Sequence, residues 1–299
     1  MALAPRAVVV HRRTEYDELL AHHGTRGQAE FFLRTRGRDI AEVDARHTAI
    51  GQARQHVASA LPADWRRGTV ERADLAHFLF AADDIIVVVG QDGLVANAAK
   101  YLNGQPVLGL NPEPLVNPGV LVRHPVDACA SLLSAVTTGR ARIEHRTMVQ
   151  ASTDDGQQLL ALNEVYLGHP SHQSARYRLE LPDGARERQS SSGVLVGTGT
   201  GATGWCRSAW QERHSTLALP QPQESGLCWF VREAWPSPAT GTVHTEGLLA
   251  EAQTLQISAE TDGLVLFGDG TEGDRIPLSW GQSATVSVAQ TRLALVTAG

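Results

Sequence analysis

Lysine is almost missing from this chain. Of the 26 basic residues among its 299, Lys100 is the only lysine and all the others are arginine. A Walker A loop needs Gly-Lys ahead of Ser or Thr, and Lys100 stands between Ala99 and Tyr101, so that loop is excluded. The strand lysine of a protein kinase, set in V-A-I-K, is absent too. Schiff-base catalysis has Lys100 as its one candidate. Cysteine is scarce: Cys129, Cys206 and Cys228 form no C-x-x-C pair, which argues against a disulfide framework or a Cys-rich zinc site and fits a reducing cytoplasm. No apolar run approaches the ~20 residues of a membrane span, and the first residues are too short a stretch for a signal peptide. A soluble protein without a membrane partner is expected. Positive charge is short as well: 26 Lys+Arg against 32 Asp+Glu leave a formal net charge of -6, so no global basic field draws nucleic acid. H-E-x-x-H and G-x-S-x-G are missing, and His169-Pro-Ser-His172 lacks a third metal ligand nearby. If this chain handles phosphates, it does so with backbone amides, arginines and a metal.

The pattern that is present changes near Pro125. Before it, apolar segments alternate with helical spacing, as a β/α arrangement requires. Strands are expected at Ala7–His11, Asp84–Gly90 and Pro106–Leu110. Helices are expected after the Thr14/Asp17 cap, over Gln28–Arg36, Thr48–Leu61, Asp74–Ala81 and Leu94–Leu102. Ile85–Val89 is a continuous β-branched run, the mark of a parallel strand buried on both faces. After a helix at Val126–Thr137, short strands are joined by turn dipeptides, including Asp155-Gly156, Asp183-Gly184, Asp262-Gly263 and Asp269-Gly270. The expected strands include Arg146–Ala151, Leu159–Gly168 and Tyr177–Leu181. The fold class expected is an α/β, doubly wound, Rossmann-like domain over residues 1–124. A mostly antiparallel β-sandwich follows over 125–299, its last strand able to return to the first domain.

Three segments carry candidate chemistry. Gly90-Gln91-Asp92-Gly93 follows the buried strand and precedes a helix, where ligands of open α/β sheets bind. Glycines there let backbone approach a phosphate, the helix start offers free N–H groups, and Asp92 suits proton acceptance from a sugar hydroxyl. It is also one of five Asp-Gly dipeptides, but the other four sit between antiparallel strands. Gly197-Thr-Gly-Thr-Gly-Ala-Thr-Gly-Trp205 contains a formal dinucleotide fingerprint. The proline-bearing Leu219–Ser225 behind it cannot be the second strand of a dehydrogenase. A turn so rich in glycine is costly in backbone entropy, which favours a ligand-facing role. Asn163-Glu164 interrupts the apolar Leu159–Leu167; two adjacent polar residues on a strand face opposite ways, so one of them breaks an apolar face.

In this order and spacing, Val89-Gly-Gln-Asp-Gly93, Leu162-Asn-Glu-Val165 and Val196–Trp205 resemble the NAD kinase family. The late hairpin Phe267-Gly-Asp-Gly270 with Arg275-Ile-Pro is similar to it, and Ser190-Ser-Ser-Gly193 most resembles the organelle-type, mitochondrial branch. The resemblance implies an active site in the cleft between two domains. It also implies transfer of the ATP γ-phosphoryl group to the 2′-hydroxyl of the adenosine ribose of NAD, giving NADP. Asp92 would be the general base, with Gly90, Gln91 and Gly93 facing phosphate. Asn163 and Glu164 would hold the acceptor's ribose and adenine, and Ser192, Thr200, Thr203, Gly204, Trp205 and Ser208 would contact the dinucleotide. Mg²⁺ would arrive on the ATP phosphates rather than in a protein metal site, and the expected assembly is a homodimer. Three positions depart from the family pattern. Gln91 replaces the second glycine, at a steric cost where glycine permits unusual backbone angles; Leu94 replaces the usual threonine; Ser192 replaces a common aspartate. A lipid or sugar kinase of the same architecture and a nucleotide-binding regulator without transfer are the alternative readings.

Overall fold

The computed structural model describes residues 4–297; the outermost residues of the two expected domains lie outside that range. The chain forms two compact units, one taking residues up to 98, 105–144 and 294 onward, the other 99–104 and 145–293.

The first unit is β/α in chain order. It runs β1 (Arg6–His11), α1 (Glu15–His23), α2 (Arg26–Arg34), α3 (Ile40–Ala60), β2 (Arg66–Glu71), β3 (Asp84–Val89), α4 (Asp92–Ala99), β4 (Pro106–Asn111), the short β5 (His124–Pro125) and α5 (Cys129–Thr137). Its strands pair in parallel in the order β2-β1-β3-β4, with β5 also on β4. Every residue of β3 is buried, the burial a two-sided parallel strand demands. α1 opens on a capping box, Thr14 and Asp17 each bonding the other's backbone N–H, as the sequence spacing indicates. α3 starts eight residues before the expected Thr48, because the Asp39 carboxylate caps the Ala41 amide and Ile40 and Val43 add a buried turn. β2 escaped the sequence reading: Arg66-Arg-Gly-Thr-Val-Glu71 is polar and buries only Val70, with no apolar alternation to announce it.

The second unit is antiparallel. It comprises β6 (Arg142–Thr153), β7 (Gln158–Ala161), β8 (Glu164–Gly168), β9 (Ala175–Glu180), β10 (Arg186–Ser191), β11 (Gly193–Gly197), α6 (Trp205–Glu212), β12 (Gly226–Arg232), β13 (Glu246–Ala250), β14 (Leu255–Ala259), β15 (Leu264–Gly268), β16 (Thr271–Leu278) and β17 (Ser283–Thr297). One sheet runs β13-β12-β11-β8-β15-β16, and β10-β9-β14-β17 lie in the other. Inward side chains of both, among them Val165, Tyr177, Val196, Trp229, Ile257 and Leu266, form one core, which is the sandwich the alternation implies. β17 pairs with β14 through residues 283–286; its last residues, from 294, belong to the first unit, where Ala294 and Leu295 pair in parallel with Pro106 and Val107 of β4. Four of the five Asp-Gly glycines, Gly156, Gly184, Gly263 and Gly270, have positive φ of 64–89°, as tight hairpins require. Gly93 is not among the positive-φ residues; it belongs to α4.

Candidate functional site

In the first unit the phosphate-turn residues sit where β3 gives way to α4. Gly90 closes the strand with its amide donated to the Leu110 carbonyl at 3.1 Å. Gln91 is exposed, and among the described residues only His214, Glu233 and Asp269 are non-glycines at positive φ. Glutamine therefore fits the turn without backbone strain, and the expected steric cost is corrected. A Cβ on Gly93 would meet nothing within 4 Å, so that backbone faces open space. Asp92 is half-buried and far from idle. Its Oδ1 accepts the Leu121 and Val122 amides at 2.8 and 2.9 Å, and its Oδ2 accepts Val120 N–H at 2.8 Å. An ionised carboxylate offers about four acceptor positions. Three are taken, and the remaining one is on Oδ2.

Beside this turn lies a cavity of about 170 Å³ whose wall includes Gly90 and Gln91 together with Arg12, Arg13, Arg46 and His47. Sequence reasoning missed these basic residues. The available signal was Arg12-Arg13 directly after the strand β1, at the same carboxyl edge of the sheet as Gly90.

In the second unit the Asn-Glu segment is not one strand. The chain breaks at Leu162-Asn163 between β7 and β8, which corrects the expected continuous Leu159–Gly168. The cause is Asp269, whose carboxylate accepts the amides of Leu162 and Asn163 at 2.7 Å each and of Glu164 at 3.3 Å. A carboxylate thus replaces a neighbouring strand as the hydrogen-bond partner. Burial pushes the Asp269 carboxyl up to about 6, against the pull of those amides and of Lys100. Glu164 is 8% exposed and its carboxyl accepts no hydrogen bond among the described residues; burial first, and then the charge of Asp269, pushes it up to about 8. A buried carboxyl so placed is a candidate ligand group. Lys100, with a side chain 2% exposed, closes the arrangement by pairing with Asp274 at 2.6 Å, where Tyr101 also donates at 2.7 Å. The sequence drew attention to Lys100 only by its solitude.

The Gly-rich turn packs against this break. Thr198 Oγ1 donates to the Leu162 carbonyl at 2.6 Å, and the Thr198 amide donates to the Asn163 carbonyl at 2.9 Å. A Cβ on Gly201 would fall 2.2 Å from that Asn163 oxygen, one on Gly199 2.1 Å from Gln221 backbone, and one on Gly197 2.3 Å from Cys206 Sγ. Three of its four glycines are therefore required by the protein's own packing, which corrects the expectation that their cost implies a ligand. Gly204 alone has no such neighbour, its nearest atom being the Gly201 carbonyl at 3.8 Å. Thr200 is buried with Arg146 Nη1 3.4 Å from its hydroxyl, whereas Thr203, Gly204 and Ser208 are exposed. Trp205 and Ser208 line a groove of about 430 Å³ with Arg213 and Arg232. Trp205 stacks on Tyr166 at 5.4 Å, and Tyr166 donates to the carbonyl of exposed Ser192. The structure thus gathers half-buried Asn163 with buried Glu164 and Thr200 around the strand break, and Trp205 and Ser208 in a groove. Among the described residues no three His, Cys, Asp or Glu side chains converge to hold a metal ion.

No family model matches the chain. An NAD kinase of Geobacter metallireducens is 30% identical over 220 residues, covering 71% of this chain and 73% of that protein. One of Aromatoleum aromaticum is 27% identical over 257 residues, covering 82% and 77%. The match to an NAD kinase of Chlorobaculum tepidum, 27% identical, spans only 47% of that relative. All three relatives are bacterial. Yeast NADH kinase, solved with NADH, superposes with a TM-score of 0.62 at 14% identity, covering 99% of this chain and 84% of that one. An Archaeoglobus fulgidus NAD kinase solved with ATP gives 0.57 at 17% identity, covering 98% and 93%.

Proposed function

The chain belongs to the NAD kinase family, and we propose that it transfers the γ-phosphoryl group of ATP to the 2′-hydroxyl of the adenosine ribose of NAD, releasing ADP and NADP. The observation that carries this reading is the pair of dissimilar half-sites. An open phosphate turn ends in Asp92, with one acceptor position left on Oδ2. In the second unit the buried Glu164 carboxyl has no hydrogen-bond partner among the described residues, and half-buried Asn163 precedes it.

On this reading Gly90, Gln91 and Gly93 face the donor phosphates. The backbone at Gly93 can be approached closely, and the first amides of α4 have no intrahelical partner. The amides of 120–122 hold Asp92 in one orientation, and Oδ2 takes the hydroxyl proton as the ribose oxygen attacks phosphorus and the bond to ADP breaks. Asn163 and Glu164 recognise the acceptor, and Trp205 and Ser208 extend its seat. Glu164, held largely protonated at neutral pH, can donate a hydrogen bond to a ribose oxygen as well as accept one. Mg²⁺ would accompany the ATP phosphates as part of the substrate and would supply charge that neutralises them.

The organelle-type affinity rests on Ser190–Gly193 alone. The cytoplasmic reading rests on the scarcity of cysteine in the sequence alone, and a homodimer is the assembly to check by light scattering. No helix among the described residues is long and apolar enough to cross a membrane. A lipid kinase reading has no observation in its favour. The test is NADP formation from NAD with ATP and Mg²⁺, read by a coupled dehydrogenase. Stoichiometric NADP and ADP are expected; folded protein forming neither would return the chain to the regulator reading.

A further inference from the structure

We propose that Lys100 is a positioning residue for the acceptor site, its buried ammonium held against the Gly268-Asp269 turn and fixing the Asn163-Glu164 break through the Asp269 carboxylate; this rests on the phosphotransfer reading above. All of these groups belong to the second unit, Lys100 and Tyr101 through its segment 99–104.

The chain of contacts is short. Lys100 Nζ donates to the Gly268 carbonyl at 3.3 Å and pairs with Asp274 at 2.6 Å, which fixes it between the end of β15 and β16. Tyr101 donates to the same Asp274 oxygen at 2.7 Å. Asp269 follows Gly268 directly. It takes a φ of 53°, which aspartate tolerates better than most side chains, and it grips the break twice. Its amide donates to the Glu164 carbonyl at 3.1 Å, and its carboxylate accepts the amides of Leu162, Asn163 and Glu164. Gly268 is packed just as closely, since a Cβ there would fall 2.8 Å from that of Ala161. A lysine side chain 2% exposed and bonded on both sides is out of reach of a carbonyl substrate, so Lys100 is not a Schiff-base nucleophile.

Charge explains why a lysine stands there. Burial pushes the Asp269 carboxyl up to about 6, although three amides and Lys100 pull it down. The amides need the ionised form, because a protonated carboxyl gives up acceptor capacity to its own O–H. Removing Lys100 removes a favourable charge and moves the carboxyl further up, into the neutral range. Glu164, facing Asp269 from β8, is pushed up to about 8 by burial and by Asp269. Cys206 of α6 also faces Glu164; its thiol is raised by a hydrogen bond to Cys228 and by burial, and stays neutral. The acceptor segment is therefore set between two titrations, with Asp269 ionised above about 6 and Glu164 protonated below about 8. Lys100 holds the lower edge of that window down.

The test titrates NAD calorimetrically into the full chain without ATP across that window and beyond it, alongside the KM values for NAD and ATP. Wild type should bind NAD best between about 6 and about 8. In Lys100→Met the acid limb should move up, weakening NAD about tenfold to a hundredfold at neutral pH. The ratio to wild type should shrink in alkali, and the ATP KM should not change. Lys100→Arg keeps the charge and should recover most of the loss. Asp269→Asn should weaken NAD at neutral pH, and adding Lys100→Met to it should cost nothing further, since both act through one carboxylate. Stripping one member of a buried ion pair destabilises, so the profile is repeated in Lys100→Met combined with Asp274→Asn, where the same shifted limb is expected. Additive losses, a loss independent of pH, or a wild-type NAD profile in both Lys100→Met proteins would overturn the proposal; with NADP still formed, the phosphotransfer reading would stand. NAD binding that depends on Lys100 in this way, in a wild type that forms no NADP from ATP, would support the proposal and overturn the phosphotransfer reading instead.

Discussion

Two of the candidate segments are glycine-containing turns, and they use glycine for opposite reasons. In the first unit, Gly93 has empty space where a Cβ would be, so a side chain there would obstruct only a visitor. In the second, Gly197, Gly199 and Gly201 press against Cys206, Gln221 and Asn163 at 2.1–2.3 Å from a built Cβ, so a side chain would collide with the protein itself. Composition alone ranks the second turn as the more ligand-like. Geometry reverses that: the glycine-rich turn is mainly packing that fixes the Asn163-Glu164 break, and the sparser turn is the open one. The same contrast runs through the carboxylates, Asp92 half-buried under three amides and Glu164 buried with none.

The largest effect expected falls on the open turn. Asp92→Asn should lower turnover by ~10²–10⁴-fold while NAD binding is retained, as steady-state kinetics and calorimetry will show. Asparagine presents one acceptor atom where three amides converge, so a stability loss of ~1–3 kcal/mol accompanies it and rates are compared at equal folded fraction. Equal turnover would remove Asp92 from the reaction. The glycines sharpen the comparison next. Gly201→Ala should cost ~1–3 kcal/mol or more in denaturant unfolding, the usual price of overpacking, whereas Gly93→Ala should leave stability unchanged and impair activity. Equal stability losses in the two variants would erase the distinction drawn between the turns.

How much of this was legible in the sequence differs between the halves for physical reasons. The buried run Ile85–Val89 and the Thr14/Asp17 capping box are local, and both are found where the pattern puts them. The four antiparallel Asp-Gly turns are local too. What escaped was made by distant residues. Asp269 reads as one more hairpin aspartate, and only the fold brings it to the amides of residues 162–164, more than 100 positions earlier. The polar β2 is a strand because β1 pairs with it, and Arg46 joins Arg12 only because α3 crosses the sheet edge.

A smaller effect tests the buried half. Glu164 has its carboxyl raised from 4.5 to about 8 in the folded chain, so the folded state holds a proton that the unfolded chain has released. Stability therefore falls as pH rises from about 4.5 through about 8 and levels off above that. Glu164→Gln mimics the protonated form and should raise Tm above wild type at pH 8.5, with the difference closing toward pH 5. A difference independent of pH would contradict the burial account. The smallest effect belongs to Gln91. Gln91→Ala should lose ~1–2 kcal/mol of transition-state stabilisation, the worth of one uncharged donor, and Gln91→Gly should preserve turnover by restoring the family turn. Wild type and Gln91→Ala alike binding NAD without forming NADP would mark a relic.

The division into a donor side in the first unit and an acceptor side in the second is tested most directly by titrating NAD and ATP separately into Asn163→Ala. Losing one polar contact to the acceptor should weaken NAD by ~1–3 kcal/mol and leave ATP affinity as in wild type. ATP weakened with NAD untouched would reverse the assignment of the two halves.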